Sequence, residues 1–299
     1  MKLTRRTFFK VSAIGATAVA GAAAPAAASS LAPAGEDSRA VLVDTTRCVG
    51  CRSCEAACAE ANRLPDPAMA GDERVFEAKR ETDQRAFTVV NRYTVAKDDV
   101  RFIKTQCMHC VDPACVSACP ARALEKTASG PVTYTGSRCL GCRYCMLSCP
   151  FGVPKFEYDK PVPYVKKCTF CAERQAQGLP PACADACPTG ALSFGTRAAL
   201  IEEAKLRIYQ NPDQYVHHVY GEREVGGTSW LYIGDVDLDR LGLPGGLGET
   251  PRPALASTAL GAVPLILTLW PPILMGLHAI TKRRNDVKDD VAAGEARHD

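Results

Sequence analysis

The chain has 299 residues, 23% of them charged, with 36 Lys and Arg against 33 Asp and Glu. That near-balance, with no long run of like charge, leaves no electrostatic footprint for a nucleic acid. The outlier is cysteine: 16 residues beside 9 Phe, 9 Tyr and 2 Trp, which points to a fold held by what the cysteines bind rather than by a large aromatic core.

The first element is TRRTFFK (4–10), followed by an uncharged, Ala/Gly-rich stretch from Val11 to Gly35. Paired arginines before a mildly apolar run read as a twin-arginine export signal over residues 1–34, with Ala26-Ala27-Ala28 as a small-residue cut site. The competing reading is an uncleaved membrane anchor.

The cysteines then arrive in four groups of four, with none left over. They are Cys48, Cys51, Cys54 and Cys58; Cys107, Cys110, Cys115 and Cys119; Cys139, Cys142, Cys145 and Cys149; and Cys168, Cys171, Cys183 and Cys187. Disulfides suit an exported chain with an even count, but neighbours three apart would close small, strained rings. Zinc takes its ligands as two separated pairs, whereas here three thiols share one short loop. The third group, C-x2-C-x2-C-x3-C followed by Pro150, is the bacterial ferredoxin run. In the first group Ala59 replaces the proline; the second widens one gap, and the fourth opens that gap into a longer loop. Three cysteines on one loop reach three corners of an Fe4S4 cube, and the fourth starts a helix that leads to a neighbouring cube. Proline costs no hydrogen bond at a helix start, and Gly50 and Gly141 sit where the loop needs permissive dihedrals. The cofactors expected are four [4Fe–4S] clusters.

Between the first two groups, AFTVVNRYTV (86–95) alternates loosely and predicts a strand. The groups also repeat. VLVDTTRCVGCRSC (41–54) aligns with VTYTGSRCLGCRYC (132–145), and PACVSACPARAL (113–124) with PACADACPTGAL (181–192), each at a constant offset. The predicted fold class is α+β: two pseudo-symmetric ferredoxin-like modules with inserts, over residues 35–240. Which groups pair is not fixed by spacing, because the connections from group two to three and from three to four are equally workable.

After the body, LGLPGGLGETPRP (241–253) reads as a Gly/Pro linker. Residues 254–281 carry no charge and are long enough to cross about 30 Å of hydrocarbon with some tilt. Pro264, Pro271 and Pro272 would kink such a helix, which membrane spans tolerate. Lys282, Arg283 and Arg284 open a tail over 282–299 and place the C-terminus in the cytoplasm by the positive-inside rule. The expected location is the periplasmic face of the bacterial cytoplasmic membrane, with one helix in the lipid.

These motifs resemble the four-cluster ferredoxin subunit of membrane-bound redox complexes, the family that serves molybdopterin enzymes such as formate dehydrogenase and nickel–iron hydrogenases. The likeness covers roughly residues 40–240 and includes all sixteen cysteines. It implies that Cys48, Cys51, Cys54 and Cys187 hold one cluster, and Cys58, Cys168, Cys171 and Cys183 its neighbour. Cys107, Cys110, Cys115 and Cys149 hold a third, and Cys119, Cys139, Cys142 and Cys145 the fourth. Within the family the chain looks most like the HybA type of hydrogenase iron–sulfur subunit. The twin-arginine signal, the C-terminal helix and the stretches KTQCMHCVDPACVSACP (104–120), CRYCMLSCPFGVPKFEY (142–158) and YGEREVGGTSWLYI (220–233) carry that likeness. A formate dehydrogenase-type electron-transfer subunit is the alternative. The implied partners are a catalytic subunit, nickel–iron or molybdopterin, and an integral-membrane subunit that handles quinone.

No phosphate-binding loop, dinucleotide fingerprint, nucleophile elbow or metal-hydrolase His motif occurs, so no catalytic residue is expected. Arg47, Arg52, Arg138, Arg143, Lys166 and Lys167 either offset the negative clusters or form an ordinary solvated face. His217 and His218 read as surface or interface residues, and His278 as bland packing in the membrane helix.

Overall fold

A computed structural model describes residues 38–67, 72–97 and 99–295. The expected export signal lies outside the described residues. The described body mixes short strands and short helices, as the cysteine loops require. Strand β1 (Arg39–Asp44) is the centre of a three-stranded sheet, antiparallel to β8 (Leu192–Thr196) and parallel to β9 (Trp230–Ile233). Alternation along β1 sends Ala40 and Leu42 to one face, Val41 and Val43 to the other. Both faces are buried.

On the first face lies α6 (Arg197–Gln210), capped at its start by the Thr196 side chain, which accepts from Ala199 N–H. Its stripe of Leu200, Ile201 and Ala204 packs on Ala40, Leu42, Leu231 and Ile233. Helical spacing of apolar residues produces that stripe. The second face holds Val41, Val43, Trp230 and Tyr232 against Cys183, Phe170 and Ile103, with Cys54, Cys110 and Cys187 packed alongside. The sheet therefore separates an ordinary helix-covered core from one built around sulfur.

Three two-stranded ribbons complete the body: β2 (Thr88–Ala96) with β3 (Asp99–Gln106), β4 (Leu124–Lys126) with β5 (Val132–Tyr134), and β6 (Lys155–Phe156) with β7 (Val165–Lys166). The strand expected over 86–95 is β2. Within the sequence repeat, Val41, Leu42 and Val43 correspond to Val132, Thr133 and Tyr134. Their antiparallel partners correspond as well: Val41, Leu42 and Val43 face Phe194, Ser193 and Leu192, while Val132, Thr133 and Tyr134 face Lys126, Glu125 and Leu124.

The short helices are those of the cysteine loops: α1 (Ser53–Asn62), α2 (Ala114–Ser117), α3 (Tyr144–Ser148), α4 (Ala172–Ala176) and α5 (Ala182–Asp185). Of the late segment 220–233 only β9 is regular strand, joined by a bridge between Tyr220 and Tyr232. Leu241 and Leu243, at the head of the Gly/Pro stretch, are buried in the sulfur-rich core.

The last element is α7 (Arg252–Glu295), which continues through Pro264, Pro271 and Pro272. Among the described residues it is the one helix long and apolar enough to cross a membrane. Its span Arg252–Asn285 has a mean hydropathy of 1.8 and none of its most apolar stretch is buried against the body.

Candidate metal centre

Two local devices repeat at the cysteine loops. Gly50 and Gly141 take φ of 71° and 69°, and Arg52 and Arg143, two residues on, take 63° and 61°. The glycines follow the expectation from the motif. A side chain at Gly50 would also run into the Phe102 ring, so backbone and packing both demand glycine there. The arginines in left-handed conformation were not legible, because only the fold around a loop decides which non-glycine residue bears that strain. The second device is backbone N–H groups aimed at sulfur: Gly141 at Cys139 Sγ (3.4 Å), Ala123 at Cys119 Sγ (3.3 Å) and Phe170 at Cys168 Sγ (3.3 Å). Such donors point at the atoms that would bind a metal.

All sixteen cysteines are free. Their electrostatic neighbours cross the sequence groups. Cys48 feels Cys187 and Cys51, and Cys54 feels Cys48. Cys58 feels Cys183 and Cys171, and Cys168 feels Cys58 and Cys183. Cys110 feels Cys107, Cys149 and Cys115. Cys145 feels Cys119, Cys139 and Cys142. These neighbours mix cysteines of different sequence groups, and the neighbourhoods overlap.

Against the four ligand sets that the resemblance implies, further neighbours link one set to the next. Cys54 of the first lies within reach of Cys183 of the second. Cys168 of the second lies by Cys107 of the third, and Cys115 of the third by Cys145 of the fourth. Cys51 and Cys142 are exposed, while Cys58, Cys107, Cys115, Cys145, Cys168 and Cys183 are buried.

Burial is the leading influence on these thiols. It pushes Cys58 and Cys115 up to about 12 and Cys145 up to about 11, and it raises Cys54, Cys110 and Cys168 further. Cys187 runs the other way: burial raises it, but the Thr189 hydroxyl and the backbone at Leu192, Thr189 and Ala191 lower it more. A thiol raised this far binds metal only by giving up its proton to the metal's charge. Among the described residues no group of three or more Cys, His, Asp or Glu is gathered tightly enough for a single metal ion. Loops that each carry three thiols, with thiols of other groups as neighbours, suit a polynuclear group. A [4Fe–4S] cube with a thiolate at each corner has that size and that donor chemistry.

The predicted cationic residues divide by environment. Arg47 pairs with Asp44 at 3.5 Å and Lys166 with Glu157 at 3.8 Å. Arg52 is buried beside Glu55 at 3.3 Å, and Arg143 lies over the Phe156 and Tyr158 rings. Arg138 sits at the end of the 3-10 turn that leads into Cys139. Lys167 is buried, donates to the carbonyls of Val132 and Cys168, and acts on Cys115. Two buried lysines escaped the sequence reading: Lys104, beside the first two sets, and Lys126, which donates to the carbonyls of His109 and Gly130 and feels Cys110 and Cys107. Burial lowers Lys126 to about 8. His217 and His218 are exposed, His218 hydrogen-bonded to Glu224 at 2.7 Å, and His278 is exposed on α7.

A mixed α/β body whose loops present rows of cysteines to buried polynuclear sites defines an iron–sulfur protein of the ferredoxin-like class. Residues 98–197, which hold the second, third and fourth cysteine groups, match the family model described as a 4Fe-4S dicluster domain. A protein of Nitratidesulfovibrio vulgaris is 48% identical over 276 residues, covering 88% of this chain and 75% of its own. The hydrogenase-2 operon protein HybA of Escherichia coli O157:H7 is 37% identical over 282 residues, covering 81% and 84%. The formate dehydrogenase-O iron-sulfur subunit of Escherichia coli K12 is 34% identical over 230 residues, covering 73% of each. The chain belongs to this family of iron–sulfur electron-transfer subunits of hydrogenase and formate dehydrogenase complexes.

Proposed function

We propose that the chain carries four [4Fe–4S] clusters and passes electrons between an exported nickel–iron hydrogenase and a membrane subunit that reacts with quinone. The observation that supports this reading is that the electrostatic neighbours of the buried cysteines cross sequence groups, as ligand sets shared between groups require. The ligand sets are Cys48, Cys51, Cys54, Cys187; Cys58, Cys168, Cys171, Cys183; Cys107, Cys110, Cys115, Cys149; and Cys119, Cys139, Cys142, Cys145. The pairing of β1 with β8 and of β5 with β4 in corresponding registers supports two pseudo-symmetric modules within residues 35–240.

A bound cluster supplies one-electron redox chemistry, at a potential within about −700 to +450 mV. The chain's own residues fix the spacing, exclude water from the inner sites and aim N–H groups at the sulfurs. The chain itself makes and breaks no substrate bond. Residues 1–34 act as a twin-arginine signal, 241–253 as a linker, 254–281 as a single span and 282–299 as a cytoplasmic tail. The unburied apolar length of α7 supports the anchor.

The alternative catalytic partner is a molybdenum or tungsten enzyme of the formate dehydrogenase kind, favoured by the 34% identity to such a subunit. Metal analysis of the complex purified through a tagged chain tests both readings. About sixteen irons from this chain with nickel supports the hydrogenase reading, and iron with molybdenum or tungsten supports the alternative. Zinc without iron, or no metal, overturns both.

A further inference from the structure

Lys104 lies on β3, three residues ahead of Cys107, and is only 2% exposed. Its ammonium sits 4.2 Å from the centroid of the Trp230 ring and donates to Gln106 Oε1 at 2.7 Å. Gln106 Nε2 donates to the Tyr232 hydroxyl at 2.7 Å, and that hydroxyl donates to the Lys104 carbonyl at 2.9 Å. The side chain is thus held in place by a ring and a closed loop of hydrogen bonds. Among the described residues no carboxylate pairs with it. A buried ammonium with no counter-ion costs several kcal/mol, so a negative partner is required.

What surrounds Lys104 is sulfur. Cys183, Cys54, Cys168 and Cys58 act on it, in that order. Trp230, beneath the ammonium, shares its core with Cys183, and Cys54 and Cys187 pack against that core. The third set answers to other lysines: Lys126 acts on Cys110 and Lys167 on Cys115. The leading neighbours of Cys145 in the fourth set are thiols.

We propose that Lys104 is the shared counter-charge of the first two cluster sites, Cys48–Cys51–Cys54–Cys187 and Cys58–Cys168–Cys171–Cys183, and holds their reduction potentials above what the ligands alone would give. A fixed positive charge in a low-dielectric interior stabilises the site that gains an electron. Placed between two neighbours, it also offsets their repulsion when both are reduced. Lys104 acts here as a positioning charge and touches no substrate.

The proposal rests on the four-cluster reading, and the wild-type measurement separates the two: too little iron in the wild-type protein fails that reading before any variant is compared. The experiment uses the full chain purified from its membranes with its partners, as wild type and as Lys104→Met, Lys104→Gln and Lys104→Arg. Iron is counted, and each cluster is titrated with dithionite and redox mediators by electron paramagnetic resonance. Cys51→Ser and Cys171→Ser assign the signals of the two sites.

Both neutral variants are expected to keep their iron and lose at least tenfold in the reduction equilibrium of those two clusters, 59 mV for a one-electron couple. The other two clusters stay unmoved, and Lys104→Arg restores the wild-type values. Iron loss in both neutral variants but not in Lys104→Arg also upholds the counter-charge. Unchanged potentials in iron-replete neutral variants overturn it, as does an equal shift at all four clusters or iron loss in all three variants.

Discussion

Asp44 and Arg207 meet at 3.0 Å, the carboxylate fully buried at the end of β1 and the guanidinium reaching it from the last turn of α6. The same carboxylate caps the 3-10 turn that leads to Cys48, accepting from Thr46 N–H at 3.1 Å, and it receives the Tyr215 hydroxyl at 2.9 Å. The helix-covered face of the sheet thereby fixes the entry to the first cysteine loop on its other side. Arg207→Ala removes one charged partner and leaves Tyr215 and Arg47. The expected loss is about 1–3 kcal/mol, read as a lower midpoint in denaturant, with iron content retained. A loss of iron at the first site with unchanged global stability would instead make the pair a local clamp on that loop.

Cys51 and Cys142 are exposed, and removing either should cost its cluster first. Cys142→Ser is expected to lower iron by about four atoms per chain and to impair folding, since metal-ligand energy is largely folding energy in such a body. A stable variant with wild-type iron would remove Cys142 from the ligand set.

Gly50 and Gly178 separate two effects of adding a methyl group. Both have positive φ, 71° and 79°, but only at Gly50 would the new carbon meet a ring, that of Phe102. Gly178→Ala should cost about 1–2 kcal/mol for the left-handed backbone. Gly50→Ala should cost a further ~1–3 kcal/mol for overpacking. Thermal midpoints of the two variants check the order.

The apolar stretch of α7 is left uncovered at its described side chains: Ile266 and Leu274 are 53% exposed each. Ile266→Lys with Leu274→Lys places two charges in the span, at roughly 2.5–3.5 kcal/mol each near the centre of a membrane helix. The double variant is expected to leave the membrane fraction on carbonate washing. Retention there would mean that partners rather than lipid hold the chain.

Chelation gives the broadest test of what holds the body together. The aromatic side chains that are fully buried, Trp230, Tyr232 and Phe170, pack in the cluster that also holds Cys183. Stripping iron with a chelator under reducing conditions should abolish near-ultraviolet dichroism from these rings while leaving α7 helical. Persistence of that signal would show a core that stands without metal.

The cysteine grammar made the cofactor class legible, because three thiols on one loop are a local arrangement and spacing records local geometry. Gly50 and Gly141 were legible for the same reason, and so was strand β2, whose alternation is written along one segment. The apolar length of residues 254–281 likewise needs no neighbour to be read. The partnership of cysteines from different groups was left open by spacing, since the fourth thiol of each set crosses from another segment. Only the resemblance supplied it, and only the tertiary structure decides which cysteines are buried, such as Cys58 and Cys168, and which, Cys51 and Cys142, are exposed. Nothing in the sequence singles out Lys104 or Lys126. Burial and the company of sulfur are long-range properties, set when β3 folds beneath Trp230 and when β4 pairs with β5, and no local pattern encodes them.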